Sequence, residues 1–131
     1  MTTYDKFPTV TIEGYDDSAW QGWEDITRVL AAKIQQRSRA VLVIDCYPGV
    51  RLNELEENVL PRLRPALTIN AGQARQDERA IHEMLARNLT DDRVFGVLSC
   101  HQLAEFFDPA RLEAQQTQVS QCAEGLIVIY G

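Results

Sequence analysis

The stretch that most constrains the fold is Ala40-Val41-Leu42-Val43-Ile44, an apolar run without alternation that ends in Asp45 and then in Cys46-Tyr47-Pro48-Gly49-Val50. Such a run is the pattern of a strand buried on both faces, which predicts a central strand of a mainly parallel sheet with helices above and below. An amphipathic segment from Leu52 to Leu63 follows at once. In open α/β sheets ligands bind outside the carboxyl ends of the strands, so Asp45, Tyr47, Gly49 and Arg51 are the candidate ligand-binding residues.

The elements around this run alternate. Thr9 to Glu13 reads as a half-buried edge strand ended by Gly14. Ser18 with Gln21 has the spacing of a capping box and opens a helix carrying Trp20, Trp23, Thr27, Leu30, Ala31 and Ile34 on one side. The two tryptophans read as core, with a stacking surface for a base or sugar as the alternative. Leu52, Leu55, Val59, Leu60 and Leu63 line a second helix that Pro61 must end or kink near Leu60. A short strand at 66–70, a helix from Asp77 to Asn88, a fourth strand at 93–98 and a short helical piece at 101–107 come next. Asp108-Pro109 then pairs a capping acid with a first-turn proline, which predicts a last helix over 110–123 with Leu112, Val119 and Cys122 inward. Gly125 precedes a closing strand, Leu126 to Tyr130. The expected architecture is α/β: a three-layer sandwich with a mainly parallel sheet and right-handed crossovers.

Composition removes several function classes. The 131 residues are 45% hydrophobic and fit one domain, able to bury roughly two thirds of the unfolded surface. With a formal net charge of −6 and Lys6 and Lys33 as the only lysines, the chain has no basic cluster to displace counterions from a phosphate backbone, which argues against nucleic acid as a partner. Cys46, Cys100 and Cys122 are odd in number and far apart, so they read as reduced core thiols rather than a disulfide framework. No leader-like segment opens the chain and no apolar run reaches membrane-spanning length, so the protein is expected in the cytoplasm, with no membrane partner. The final Gly125-Leu126-Ile127-Val128-Ile129-Tyr130-Gly131 stops where a buried strand would normally be covered. Residues 1–131 are therefore expected to be the N-terminal piece of a longer protein.

The chemistry in these residues is sparse. The turn after Asp45 occupies the place of a phosphate-binding loop, where backbone N–H groups and a helix start can hold an anion. A P-loop requires G-x-x-x-x-G-K-[ST]; here Gly49 stands alone and neither lysine is near. Cys46 to Gly49 reads first as a structural turn, with a nucleotide site as the alternative and Arg51 as a weaker anion contact. Asp45 can cap that turn, hold a metal or act as a base. His101 beside Cys100 invites a metal or nucleophile, but no C-x-x-C or H-x-x-x-H accompanies it. No G-x-S-x-G elbow is present. No catalytic residue, metal ligand or cofactor is assigned in these residues.

Several segments together carry a resemblance. Thr3-Tyr4-Asp5-Lys6-Phe7-Pro8, Asp45-Cys46-Tyr47-Pro48-Gly49-Val50, Asp91-Asp92-Arg93-Val94-Phe95-Gly96, Leu103-Ala104-Glu105-Phe106-Phe107-Asp108-Pro109 and Ile127-Val128-Ile129-Tyr130-Gly131 resemble the N-terminal region of long bacterial proteins of the class I mannose-6-phosphate isomerase type. The resemblance runs nearly end to end and implies a C-terminal cupin domain, in the same longer protein, that would hold an isomerase site. Metal ligands of such enzymes sit on histidine, glutamate and glutamine of the cupin, so it also implies that these residues lack isomerase activity. That N-terminal region is in turn similar to uridine-kinase-like domains, implying a P-loop-kinase-like fold with a degenerate phosphate loop at Cys46 to Arg51. Two functions follow as expectations. One is a non-catalytic accessory or sensing domain that binds a phosphorylated small molecule or organises assembly. The other is a nucleoside or sugar phosphotransferase completed by further residues. A dimerisation module is a third, weaker reading.

Overall fold

The computed structural model describes residues 5–15, 18–35, 37–92 and 94–131. Thr3 and Tyr4 of the first quoted segment, and Arg93 at the start of the expected fourth strand, lie outside them. Helix α1 (Trp23–Ile34) leads into β1 (Arg39–Ile44), and α2 (Leu52–Asn58) and the single turn α3 (Leu60–Leu63) lead into β2 (Leu67–Asn70). A 3₁₀ turn (Ala71–Ala74), α4 (Glu78–Leu85), a second 3₁₀ turn (Leu103–Phe106) and α5 (Pro109–Gln121) precede β3 (Gly125–Tyr130). The three strands form one parallel sheet in the order β1-β3-β2, with Arg39 paired to Gly125, Ile44 to Tyr130, Leu67 to Ile127 and Asn70 to Tyr130. This is an α/β fold with a small, open parallel sheet.

The apolar runs formed strands, but their places differ from the expectation. β3 is the central strand, and Ile127 and Val128 are fully buried, one on each face. β1 is an edge strand: Val41 is 45% and Val43 65% exposed, while Ala40, Leu42 and Ile44 pack inward. An unalternating run is satisfied by burial on both faces but does not require it, because β-branched residues favour extended backbone whatever covers them. On the face of Ala40, Leu42 and Ile44, the core joins Leu126, Val128 and Tyr130 to Leu55 and Val59 of the α2–α3 region, with Ile34 of α1 alongside. On the other face, Leu112, Gln115 and Val119 of α5 border Ile69 and Ile129. Arg39 ties that helix down: its Nε and Nη2 donate to the carbonyls of Cys122 and Val119, groups a helix C-terminus otherwise leaves without partners.

Local chemistry explains the boundaries. Asp108 caps α5 by accepting from Ala110 and Arg111 N–H, with Pro109 in the first turn. Pro61 breaks the second helix, and the break falls at Val59, one residue before the expected limit. Gly125 opens β3 with φ +84°, and a Cβ there would stand 2.8 Å from Ala66 Cβ, so both its backbone and its neighbour require glycine.

Three further expectations about the elements are corrected here. Residues 9–13 form no strand. Residues 94–98 form none either, and Phe95 and Leu98 are 73% and 89% exposed. There the Asp92 carboxylate accepts from the N–H groups of Val94 and Phe95, the Thr90 hydroxyl donates to Phe95 C=O, and Asn88 Nδ2 donates to Val97 and Leu98 C=O. Side chains thus take the backbone groups that a ladder would use. Third, α1 begins at Trp23, with Gly22 rather than Ser18 at its cap, so Trp20 precedes the helix and both tryptophans are partly exposed instead of core.

Candidate functional site

The carboxyl ends of β1, β2 and β3 meet at one edge of the sheet, where parallel α/β folds build sites. The loop 45–51 leaves β1 here, held to the end of β3 because Gly131 N–H donates to Ile44 C=O and Cys46 N–H to Gly131 C=O. Within it, Val50 N–H donates to Tyr47 C=O at 3.0 Å, Pro48 follows Tyr47, and Gly49 has φ +99°. That is a type II β-turn, with proline presetting the first corner and glycine supplying the positive φ of the second.

The structure therefore places Asp45, Tyr47, Gly49 and Arg51 on one loop at the sheet's carboxyl edge but does not converge them on a common point. Asp45 is exposed and Tyr47 is 83% exposed. Arg51 Nη1 donates to Glu54 Oε1 at 2.8 Å, so its charge is already matched. Behind the turn, α2 carries Glu54, Glu56 and Glu57, which repel an approaching anion.

A polar cluster around one buried hydroxyl lies on the inner side of this loop. Tyr130, the last residue of β3, is buried against the α2 side, and its hydroxyl donates to Glu56 Oε1 at 2.6 Å. Burial, reinforced by the Glu56 carboxylate, pushes the Tyr130 phenol up to about 12. At neutral pH it is a fixed hydrogen-bond donor and no base. Asn70, at the end of β2 and opposite Tyr130 in the ladder, accepts from Gly72 N–H at 2.9 Å, which turns the chain into the first 3₁₀ segment. Half-buried Cys46 packs on the same core. Sequence reading passed over Tyr130, Asn70 and Glu56; the available signal was that Asn70 and Tyr130 both terminate apolar runs, and so both fall at carboxyl strand ends.

Beside β2 the edge opens into a polar cleft of about 530 Å³ lined by Gly72, Gln73, Arg75, Gln76, Ile81 and Arg111 among others. Arg111 is braced there by Arg75 C=O at 3.0 Å and Asp77 Oδ1 at 3.1 Å, which turns a flexible cation into a positioned one. Farther along the chain, His101 Nδ1 lies 3.3 Å from Glu105 Oε1 while Glu105 Oε2 accepts from Gln102 N–H at 2.6 Å. Those contacts, the Gln102 N–H first, hold the Glu105 carboxyl below the usual range. Cys100, expected as a core thiol, is exposed. Among the described residues no group of three histidine, cysteine or carboxylate side chains is placed to hold a metal ion. Among them, too, no helix is long and apolar enough to cross a membrane.

An open parallel sheet with a loop-lined carboxyl edge defines the chain's class as α/β. Within that class the chain belongs to DUF8485, a domain of unknown function, whose family model matches residues 22–131. The matched region opens at the cap of α1 and takes in the whole sheet and both parts of the carboxyl edge. No curated protein and no solved structure shows a significant match.

Proposed function

We propose that this domain is a non-catalytic accessory or ligand-sensing module of a mannose-6-phosphate isomerase-like protein of carbohydrate metabolism, built on a P-loop-kinase-like fold whose phosphate loop has degenerated into a turn. One observation carries the reading: the loop after β1 closes on itself through Tyr47 C=O and Val50 N–H, and its arginine is paired with Glu54. A working phosphate loop presents a row of free N–H groups and a cation to the anion. This loop presents a turn, an occupied arginine and an acidic helix. The cleft beside β2 is the other place for a phosphorylated small molecule: Arg75 and Arg111 both line it, with Arg111 already ion-paired to Asp77 and Glu78 standing in the same wall. A C-terminal cupin domain of the longer protein would be the covalent partner in this reading.

The second reading, a nucleoside or sugar phosphotransferase completed by other residues, draws support from the strand–loop–helix unit of β1, 45–51 and α2 at the carboxyl edge of a parallel sheet. Thermal unfolding against Mg-ATP, Mg-UTP, mannose 6-phosphate, fructose 6-phosphate and inorganic phosphate separates the two. Saturation at 100 times the dissociation constant adds about 2.7 kcal/mol and moves the midpoint by several degrees. The accessory reading expects a shift with a sugar phosphate that is lost in Arg75→Ala and kept in Arg51→Ala. A nucleotide shift lost in Arg51→Ala favours the phosphotransferase, and no shift with any compound removes the sensing role.

A further inference from the structure

Among the described residues, β1 has nothing paired with its outer edge. Its ladder to β3 uses even-numbered residues: Gly125 N–H donates to Ser38 C=O, Gly131 N–H to Ile44 C=O, and Cys46 N–H to Gly131 C=O. In a parallel ladder both backbone groups of a residue point to the same neighbour, so those of Arg39, Val41, Val43 and Asp45 point to the open side. Among the described residues none of these groups finds a backbone partner. The side chains of Val41 and Val43 add an exposed apolar strip on the face that α5 leaves bare over β1. A long apolar edge of this kind is normally blunted by lysine, proline or a bulge, and β1 has none of them.

What suits this edge can be read from its own sequence, which is complementary to itself reversed. In antiparallel pairing about Leu42, Val41 lies opposite Val43, Arg39 opposite Asp45, and Ala40 opposite Ile44. The hydrogen-bonding parity agrees. Val41 with Val43 and Arg39 with Asp45 join residues whose backbone groups point outward, as hydrogen-bonded antiparallel pairs require, and Leu42 falls on the two-fold axis as a non-hydrogen-bonded pair. Arg39 spends only Nε and Nη2 on α5, so its guanidinium keeps Nη1 for a carboxylate. We propose that the chain forms a two-fold dimer in which β1 pairs antiparallel with β1 of a second copy about Leu42, extending the sheet across both molecules. Each copy contributes an Arg39 to the other's Asp45, and the two apolar strips become cross-strand valine pairs.

Sedimentation of the whole chain across the micromolar range tests this. The expected result is a concentration-dependent mass reaching two chains. Val43→Pro removes an outward N–H and no bond to β3, so it should give a single-chain mass with unchanged far-ultraviolet circular dichroism. Asp45→Arg sets like charges opposite Arg39 in both halves of the interface, leaves the α5 contacts of Arg39 untouched, and should weaken association about tenfold. A single-chain mass for the unaltered protein at every concentration overturns the proposal. So does a dimer that Asp45→Arg leaves unchanged, or one that persists in folded Val43→Pro.

Discussion

Replacing Tyr130 by phenylalanine removes one oxygen from the best-defined polar contact at the carboxyl edge. The ring stays in the core with Leu126 and Val128, so no cavity opens. What disappears is the 2.6 Å bond to Glu56. Hydrogen bonds to charged groups contribute about 1.5–3 kcal/mol, and because Glu56 sits at the surface and rehydrates, a loss of about 1–2 kcal/mol is expected at pH 7. For a chain of this length that lowers the thermal midpoint by roughly 4–8 °C. The alkaline limb carries the sharper signature. The phenol titrates at about 12 in the folded state against 10.0 ordinarily. Below the unfolded value both states keep the proton and its contribution is complete. Between the two values the unfolded chain has lost the proton while the folded one holds it, so stability falls as pH rises, by up to about 2–3 kcal/mol for a two-unit shift. Tyr130→Phe has no such loss. Urea unfolding followed by circular dichroism should find the variant the weaker protein at pH 7 and level with or stronger than the parent by about pH 12. Other tyrosines and lysines titrate in both proteins and cancel in the difference. A stability gap that stays constant with pH, or no gap at pH 7, refutes the assigned role of the Tyr130 hydroxyl.

Gly125→Ala combines a positive φ with a Cβ at 2.8 Å from Ala66 Cβ, and urea unfolding should report a loss of about 2–4 kcal/mol. Asp108→Ala leaves two first-turn N–H groups of α5 without their acceptor and should lose about 1 kcal/mol in the same assay, while Asp108→Asn, which keeps an acceptor, should recover most of it.

What could be read from the chain followed the reach of each rule. Asp108-Pro109 and the Tyr-Pro-Gly turn were legible because the determining residues are neighbours, and the structure gives them the roles their chemistry implies. Apolar runs announced β1, β2 and β3 as strands. They did not say which strand lies between which, and so the most obvious run fell on an edge while the run at the end of the chain became the centre. The segment 94–98 has the composition of a strand, and only the side chains of Asn88, Thr90 and Asp92 reveal that its backbone is occupied elsewhere. At the carboxyl edge the loop was visible but the Tyr130, Glu56 and Asn70 cluster was not. Its members come from three elements that only the completed sheet brings together.

The strand order also governs when this domain can begin to fold. β1 and β2 never touch; each is joined to the sheet only through β3, with residue 39 paired to residue 125 and residue 67 to residue 127. A chain in which β3 has not yet docked can form helices, but it holds two apolar strands with nothing to pair them. Every sheet contact must then close over a long loop at once, an arrangement that slows folding and leaves Val41 and Val43 accessible to other chains in the meantime. The third strand acts as the keystone, and this sheet has no partial form to fall back on.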